Sequence, residues 1–585
     1  MARPLLIDGK FPMRIFTNNG YRYAVTRTSV RKADGRYNHP QKLWGTVDED
    51  LNFTPNSRFL ALSDEERAAI LIPEDWKIAH DGAGVPAGRG RPSYDGASAS
   101  LLYGHSWFLE MLSAQCGLRD DLEHVFESHD MADKVLTLAY YSLLCGGSYS
   151  HLAGEQAIAW FPSGDTISAW EATRLTASIT EQHRQALFRC RRARSGAKSW
   201  LGVDSTSFTC YGRHLADAKR GKNKEHDYAD QINELVIYDF SGGAPVYYRR
   251  MPGNMPDTRS MRVTMEELKA NGFSNVRLVL DRGYVSDEVM EMLVKRNCSF
   301  VMMARTGDSQ IAKAIRETDY EEMTSRQCWI DRHRVFGKTM DYKYSVTANG
   351  GKRDVSSLRM CLFFDPELQG EVRKEVYAKA TEMERQLQNM KDGRDKVDAE
   401  TIERYSRYFD IRMTRRGRIR CFSMNERNMK KDIAKTGYFA ILANAMSPSR
   451  HDLSEILDIY GMRDEQEKSF MFIKSEQEGR RLRTSREDTT DGRLFIQFVA
   501  LILNCAIYRR FLASDTLREL FPTRQHMLEE LRSIRMIQHP KRARMITEIV
   551  GRQVDVFKEF KMPVPVKLLP KDRRQEYAQA LAKNG

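Results

Sequence analysis

The hydrophobic period of this chain changes at residue 199, and the change limits the folds open to it. Trp200-Leu-Gly-Val-Asp204 is a short apolar strand that ends in an acid. Residues 232–239 and 245–251 form strand-like runs on either side of Ser241-Gly-Gly-Ala, which predicts a hairpin. Helical spacing follows over 260–271. Val276-Arg-Leu-Val-Leu280 is then a second strand ending in an acid, Asp281, before a helix over 286–296 and a strand over 300–304. An antiparallel opening followed by strand–helix–strand is an α/β pattern. It stops at 306 and resumes at Tyr438-Phe-Ala-Ile-Leu-Ala. Residues 196–305 and 437–514 are therefore expected to be two halves of one domain, with 306–436 an inserted segment.

Within the insertion, 327–364 and 411–424 are strand-like. Between them Val372, Val376, Ala380, Met383, Leu387 and Met390 step by three or four, as on one face of an exposed helical hairpin. The flanks differ in kind. Residues 1–95 alternate β-type runs with turns and end in the Gly/Pro-rich linker Gly82–Arg91. Residues 96–195 are expected to be helical, with an apolar helix over 133–144, an amphipathic one over 148–160 and a third beginning near Asp165. Short turns between them fit a helix-turn-helix or a plain bundle equally. Arg189, Arg191, Arg192, Arg194 and Lys198 lead from there into the α/β pattern. Residues 515–585 are expected to be helical, carrying Arg532, Arg535, Lys541, Arg542 and Arg544.

Composition narrows the function class. The chain has 585 residues with Lys plus Arg at 92 and Asp plus Glu at 79, a net charge of +13. That balance favours polyanionic partners, nucleic acid above all. The 9 cysteines include no C-x2-C pair, so a zinc finger is not expected, and their odd number fits a reducing compartment. Met1-Ala-Arg-Pro-Leu-Leu-Ile-Asp lacks the apolar core of a signal peptide. The longest apolar run, Leu494–Ile507, is interrupted by Gln497 and Asn504 and is shorter than the roughly 20 residues a membrane span needs. It is expected to back the sheet, so no membrane is expected as a partner and a cytoplasmic location is.

Strand ends are where ligands sit in α/β sheets. Asp204 and Asp281 hold two such positions. A helix expected over 453–477 adds Tyr460, Arg463, Glu467 and Lys474, which fall within about 60° of arc at helical periodicity. Alone, Arg463 and Glu467 fit an ordinary i, i+4 ion pair. Together with the two aspartates, Glu467 supplies a third acid. Three carboxylates at one sheet edge suit two hard divalent cations, which can clamp a phosphate and activate water.

At these residues the chain resembles a known family. Tyr460-x2-Arg463-x3-Glu467-x6-Lys474 matches the Y-R-E-K signature of bacterial insertion-sequence DDE transposases with an RNase H-like fold. Val203-Asp204-Ser-Thr206 is similar to that family's first-aspartate motif, and Leu280-Asp281-Arg282-Gly283-Tyr284 to its second. The resemblance covers about 195–515. It implies a multidomain α/β protein with an RNase H-like mixed sheet, an inserted segment and an N-terminal DNA-binding region. It implies that Asp204, Asp281 and Glu467 bind two Mg²⁺ or Mn²⁺ ions and carry the catalysis. Tyr460, Arg463 and Lys474 would grip DNA phosphates, with Arg481 and Arg483 close behind them. The activity implied is cut-and-paste transposition: cleavage of double-stranded DNA at the element's ends and joining of the new 3′-OH to target DNA, by a homodimer on the bacterial nucleoid. A nuclease of the same fold without strand transfer, and a retired transposase that only binds DNA, remain alternatives. Trp329, the one Trp of the insertion, with Arg326, Arg332 and Arg334 around it, fits either a base-stacking role or packing. His151 and His333 lack metal-spaced partners and are expected to be structural.

Overall fold

The computed structural model describes all residues except 1–5, 19–20, 28–29, 32–36, 39–40, 79–98, 197, 211–214, 222–229, 349–350, 356–357, 445–451, 465, 469–480, 483, 539–542 and 570–585. The Gly82–Arg91 linker, the basic residues Lys541 and Arg542, and the candidate site residues Lys474 and Arg483 lie outside the described residues, as do Arg213, Lys222 and Lys224 of a basic loop that follows the first acid in sequence. The chain divides into two compact units, Met1–Ala97 and Ser98–Gly585. In the first, five strands pair in one sheet over a small core of Met13, Trp44, Phe53, Phe59 and Trp76.

The second unit is built on one large sheet. Its main strands, in chain order, are β1 (Trp200–Cys210), β2 (Asp230–Asp239), β3 (Ala244–Pro252), β4 (Arg277–Leu280), β5 (Ser299–Met303), β6 (Trp329–Ile330), β7 (Val335–Asp341), β8 (Leu358–Phe364) and β9 (Tyr438–Asn444), with two-residue strands Lys219–Arg220 and Arg481–Leu482 added on β2 and β1. β3, β2 and β1 are antiparallel neighbours, whereas β1, β4 and β5 run parallel. The spatial order β3-β2-β1-β4-β5, with only β2 reversed, is an RNase H-like mixed sheet. The local sequence explains each turn of it. Helix Asp257–Ala270 crosses from β3 to β4, and Ser286 caps helix Asp287–Lys295 on the way from β4 to β5 by accepting from Val289 N.

The sheet does not stop where the α/β pattern does. β9 pairs antiparallel with β5 on one side and with β8 on the other, and β7 and β6 extend it to an edge. The chain leaves and rejoins the sheet at adjacent points, with Ala304 N donating to Ala440 O at 2.9 Å. Three strands of 306–436 thus belong to the main sheet. Helix Ser309–Glu317 and Met323 pack on the main core, and the later part of the segment has its own small core of Leu387, Tyr405, Phe409 and Ile419. Helix Pro366–Lys391 packs there against the hairpin Phe409–Met413/Ile419–Met424 and a short helix, Glu426–Ala434, and not against a second long helix. The pairs Glu382–Arg385 and Glu375–Lys379 occupy its exposed side.

Helix Glu487–Ala513 backs the sheet. By length and composition it could cross a membrane, but its apolar residues are buried inside the protein, against β3 and helices His129–Leu144 and Ala169–Ser178. Each fully buried Leu, Ile or Phe in it contributes about 1.5–3 kcal/mol. Residues 148–160, which scan as an amphipathic helix, form only a short 3-10 turn and helix Leu152–Gln156. Ser168 opens the next helix with a capping box to Glu171. The C-terminal region holds strands as well as helices: Arg535–Gln538, Arg544–Ile546 and Leu568–Leu569 pair in a four-stranded sheet with Ala99–Leu102.

Candidate active site

β1 and β4 lie side by side with Val203 opposite Leu280, so the acids that follow, Asp204 and Asp281, are neighbours across two parallel strands. Asp281 is at a strand end. Its Oδ1 accepts from Arg282 N at 2.7 Å and caps the short turn Arg282–Tyr284. Asp204 Oδ1 accepts from Ser205 N at 2.9 Å. Tyr284 is buried beneath them. Burial, with the Asp257 and Asp204 carboxylates nearby, holds its phenol well above the ordinary range.

The third acid comes from a helix across the sheet edge. Helix Leu453–Gly461 begins at Asp452, whose side chain accepts from Glu455 N. It does not run unbroken through the site, as the sequence pattern predicts. Met462 forms a turn, after which Arg463–Asp464 and Gln466–Lys468 resume a helical path. Arg463 is 5% exposed and lies at the centre of the site. Its Nη1 is 3.2 Å from Asp281 Oδ1 and donates to the Tyr460 phenol at 2.8 Å, and its Nη2 donates to Glu467 Oε1 at 3.0 Å. Burial alone would lower the Arg463 pKa, but the Tyr460 phenol and the carboxylates of Asp281, Asp204 and Glu467 outweigh it and raise the value. Burial, opposed by Arg463, pushes Tyr460 up to about 12, so the phenol keeps its proton at neutral pH.

Asp281, Tyr460 and Glu467 thus meet around the Arg463 guanidinium, with Asp204 and the buried Tyr284 adjacent. The Arg463–Glu467 pair expected of any helix is present, but it also reaches Asp281 on another element. Arg463 therefore sits on the carboxylates. Arg481 lies in the short strand Arg481–Leu482, whose backbone pairs with Thr209 and Cys210 of β1.

Two features that position the site have no motif. Gln466, fully buried, points its amide at Gly202 of β1, donating from Nε2 to Gly202 O at 3.4 Å. A Cβ on Gly202 would collide with Gln466 Oε1 and with the Phe240 ring. Glycine here lets the turn that carries Glu467 close on the strand that carries Asp204. The second feature is Asp458, one turn before Met462. It pairs with Arg332 at 2.7 Å and with His333 Nε2 at 3.1 Å. Those residues are in the β6–β7 turn, so an ion pair ties the site helix to the strand that carries Trp329. Trp329 itself is half-buried at the sheet edge, 4.9 Å from the Phe336 ring, and its Nε1 donates to Asp331 Oδ1 at 3.2 Å.

The donor chemistry suits hard cations, since all three acids offer only carboxylate oxygen. Asp281 and Glu467 also share a cation already, in Arg463. Among the described residues, however, no three His, Cys, Asp or Glu side chains are arranged to hold a metal ion directly.

Asp204 lies within β1 and not at a strand end as its sequence pattern predicts, because the ladder with β2 continues to Thr209. An RNase H-like sheet with acids side by side on two central strands and a third on a following helix defines a class of phosphoryl-transfer folds. The comparison with known families is more specific. Residues 196–503, more than half of the chain, match the transposase DDE domain, and the chain belongs to that family. No curated protein matches it in sequence. Among solved structures, it is similar to a piggyBac transposase in a cryo-EM synaptic complex with hairpin DNA, at 8% identity and a TM-score of 0.28. That match takes in 66% of this chain and 57% of the other, so this chain spans little more than half of its length.

Proposed function

We propose that the protein is a DNA transposase of cut-and-paste type, which cleaves double-stranded DNA at the ends of its element and joins the freed 3′-OH to target DNA. The observation that carries this is the meeting of Asp281 and Glu467 on Arg463, beside Asp204, within a transposase DDE domain. The net charge of +13 supports a polyanionic substrate.

Asp204, Asp281 and Glu467 would hold two Mg²⁺ or Mn²⁺ ions, which when bound activate water and stabilise the departing oxygen. The chain's own residues do the rest. Arg463 keeps the carboxylates together against their mutual repulsion, and its planar fork matches phosphate as well as carboxylate. Tyr460, protonated at neutral pH, donates from the same stripe. Lys474, Arg481 and Arg483 would contact further phosphates of the DNA strand. Gln466 on Gly202 fixes how far Glu467 stands from Asp204. Trp329, tied to the site helix through the Arg332–Asp458 pair, would stack on a displaced base.

The test uses a plasmid carrying the gene with its natural flanking DNA, incubated with purified protein, Mg²⁺ and a second plasmid as target. Paired cuts at the flanks, followed by joined products, are expected. Cuts without joining would establish a nuclease of the same fold, and binding without cuts a retired transposase.

A further inference from the structure

Away from the acids, the protein has a cleft of about 540 Å³ that none of the site residues lines. Its wall includes Asp239, which pairs with Leu201 across β1, three residues before Asp204 and so about 10 Å along the strand. The β2–β3 turn, the end of helix Glu487–Ala513 and the end of helix Gly551–Glu559 close around it. Leu112, Val246, Ile502 and Phe560 make one side apolar. The volume is in the range of small-molecule sites.

The charges of the cleft are not balanced. Asp239, the one acid in its lining, is satisfied by the hydroxyls of Ser195 and Ser199 and by the backbone N–H groups of Ser241 and Gly242. Arg191 and Arg194 both pair with buried Asp121. That leaves Arg509, Arg510 and Lys561, which have no carboxylate partner among the described residues. Arg509 donates to Ser241 O at 3.1 Å and Arg510 to Glu559 O, so each is held by a carbonyl that leaves its charge uncompensated.

Two backbone positions are shaped to hold these cations there. Gly243 has φ +64, and a Cβ on it would collide with the Arg509 guanidinium. Lys561 has φ +53 at the end of its helix, where Met562 N donates to Phe557 O at 2.8 Å. Glycine takes that conformation without steric cost and is the usual residue at such a helix end. A lysine there keeps a strained backbone and places an ammonium on the cleft.

We infer that this cleft binds a nucleoside phosphate. Three unneutralised cations call for a ligand with several negative charges, and the apolar side with Phe560 calls for a body that an inorganic anion lacks. The ligand is either a free nucleotide or the 5′-phosphorylated terminal nucleotide of a DNA strand. The inference does not depend on the catalytic assignment.

The test is titration calorimetry of the full chain with ATP, a short 5′-phosphorylated single strand, tripolyphosphate and adenosine. The titrations are repeated on Arg509→Gln/Lys561→Gly. Lys561→Gly relieves the strained φ, so its melting temperature should hold or rise, and it serves alone if the double variant does not fold. At least tenfold weaker binding in the variant is expected, for ATP if the ligand is a free nucleotide and for the strand if it is a DNA end. Tripolyphosphate should bind more weakly than ATP, and adenosine not at all. Affinity unchanged by the substitutions, tripolyphosphate binding as tightly as ATP, or no binding of ATP or of the strand to the wild type would each overturn the inference.

Discussion

Gly202→Ala tests how the site is assembled without touching any acid. The added methyl meets Gln466 Oε1 on one side and the Phe240 ring on the other, both inside van der Waals distance. Gln466 is fully buried and Phe240 is 6% exposed, so neither side chain has free space to retreat into. Overpacking of this kind costs about 1–3 kcal/mol. The strain falls on the turn bearing Glu467, and a misplacement of about 1 Å in such a site lowers rate by roughly a hundredfold. Gln466→Ala alone removes a weak hydrogen bond of 3.4 Å and an amide oxygen that has no hydrogen-bond partner among the described residues, and should cost about 1 kcal/mol. Combined, the two changes should relieve each other, because the methyl enters space the amide leaves. Relief stays partial because Phe240 remains. Urea unfolding followed by tryptophan fluorescence should therefore give a favourable coupling energy of about 1 kcal/mol, and cleavage should partly recover in the double variant. Strict additivity, within about 0.5 kcal/mol, would refute the claim that Gln466 docks the Glu467 turn on Gly202.

Other perturbations have equally definite outcomes. Arg463→Ala leaves Asp281 and Glu467 without their shared cation and should cost about 1–2 kcal/mol, since both acids are partly solvated and screened; Arg463→Lys should recover little cleavage, because one ammonium cannot span both carboxylates as the fork does. Asp458→Ala frees the β6–β7 turn from the site helix and should impair the same step as Trp329→Ala, read by scoring first-strand nicking and second-strand processing separately; loss of both steps or of solubility in Trp329→Ala would mark that ring as packing. Buried Glu234 is pushed up to about 8 by burial, which outweighs the opposing charge of Arg184. Its folded value lies above the unfolded one, so stability is greatest below about pH 4.5, falls as pH rises and levels off above about 8. Glu234→Gln should flatten that fall, a difference on the order of a few kcal/mol in unfolding measured at pH 5 and pH 8.

Much of the sheet is readable from residues alone, because its strands are short apolar runs closed by turn or capping residues. The strand before Asp281 ends where its acid begins, and the hairpin about Ser241-Gly-Gly is written in turn chemistry, whereas β1 runs on past Asp204 to Cys210 because its ladder with β2 continues. What could not be read rests on contacts between distant segments. β8 joins the main sheet by pairing with β9, about 80 residues away in the chain, and β7 joins it through β8; a strand's own composition does not name its neighbour. Helix Pro366–Lys391 has an apolar face that any partner could cover, and the hairpin Phe409–Met424 covers it. The turn at Met462 is likewise unmarked, since Gly461 sits inside a helical pattern that tolerates it. The i, i+4 spacing of Arg463 and Glu467 is a local signal, whereas the link from Arg463 to Asp281 depends on the sheet edge that brings them together.

The central claim is that Asp204, Asp281 and Glu467 form one metal-dependent site. The measurement that tests it most directly compares wild type with Asp204→Asn, Asp281→Asn and Glu467→Gln, scoring Mg²⁺-dependent cleavage and DNA binding on the same flanking DNA. Neutral isosteres keep shape but lose the charge that holds divalent cations. Each variant should bind the DNA nearly as the wild type does and cut none of it. Near wild-type cleavage by any one of the three would contradict the account.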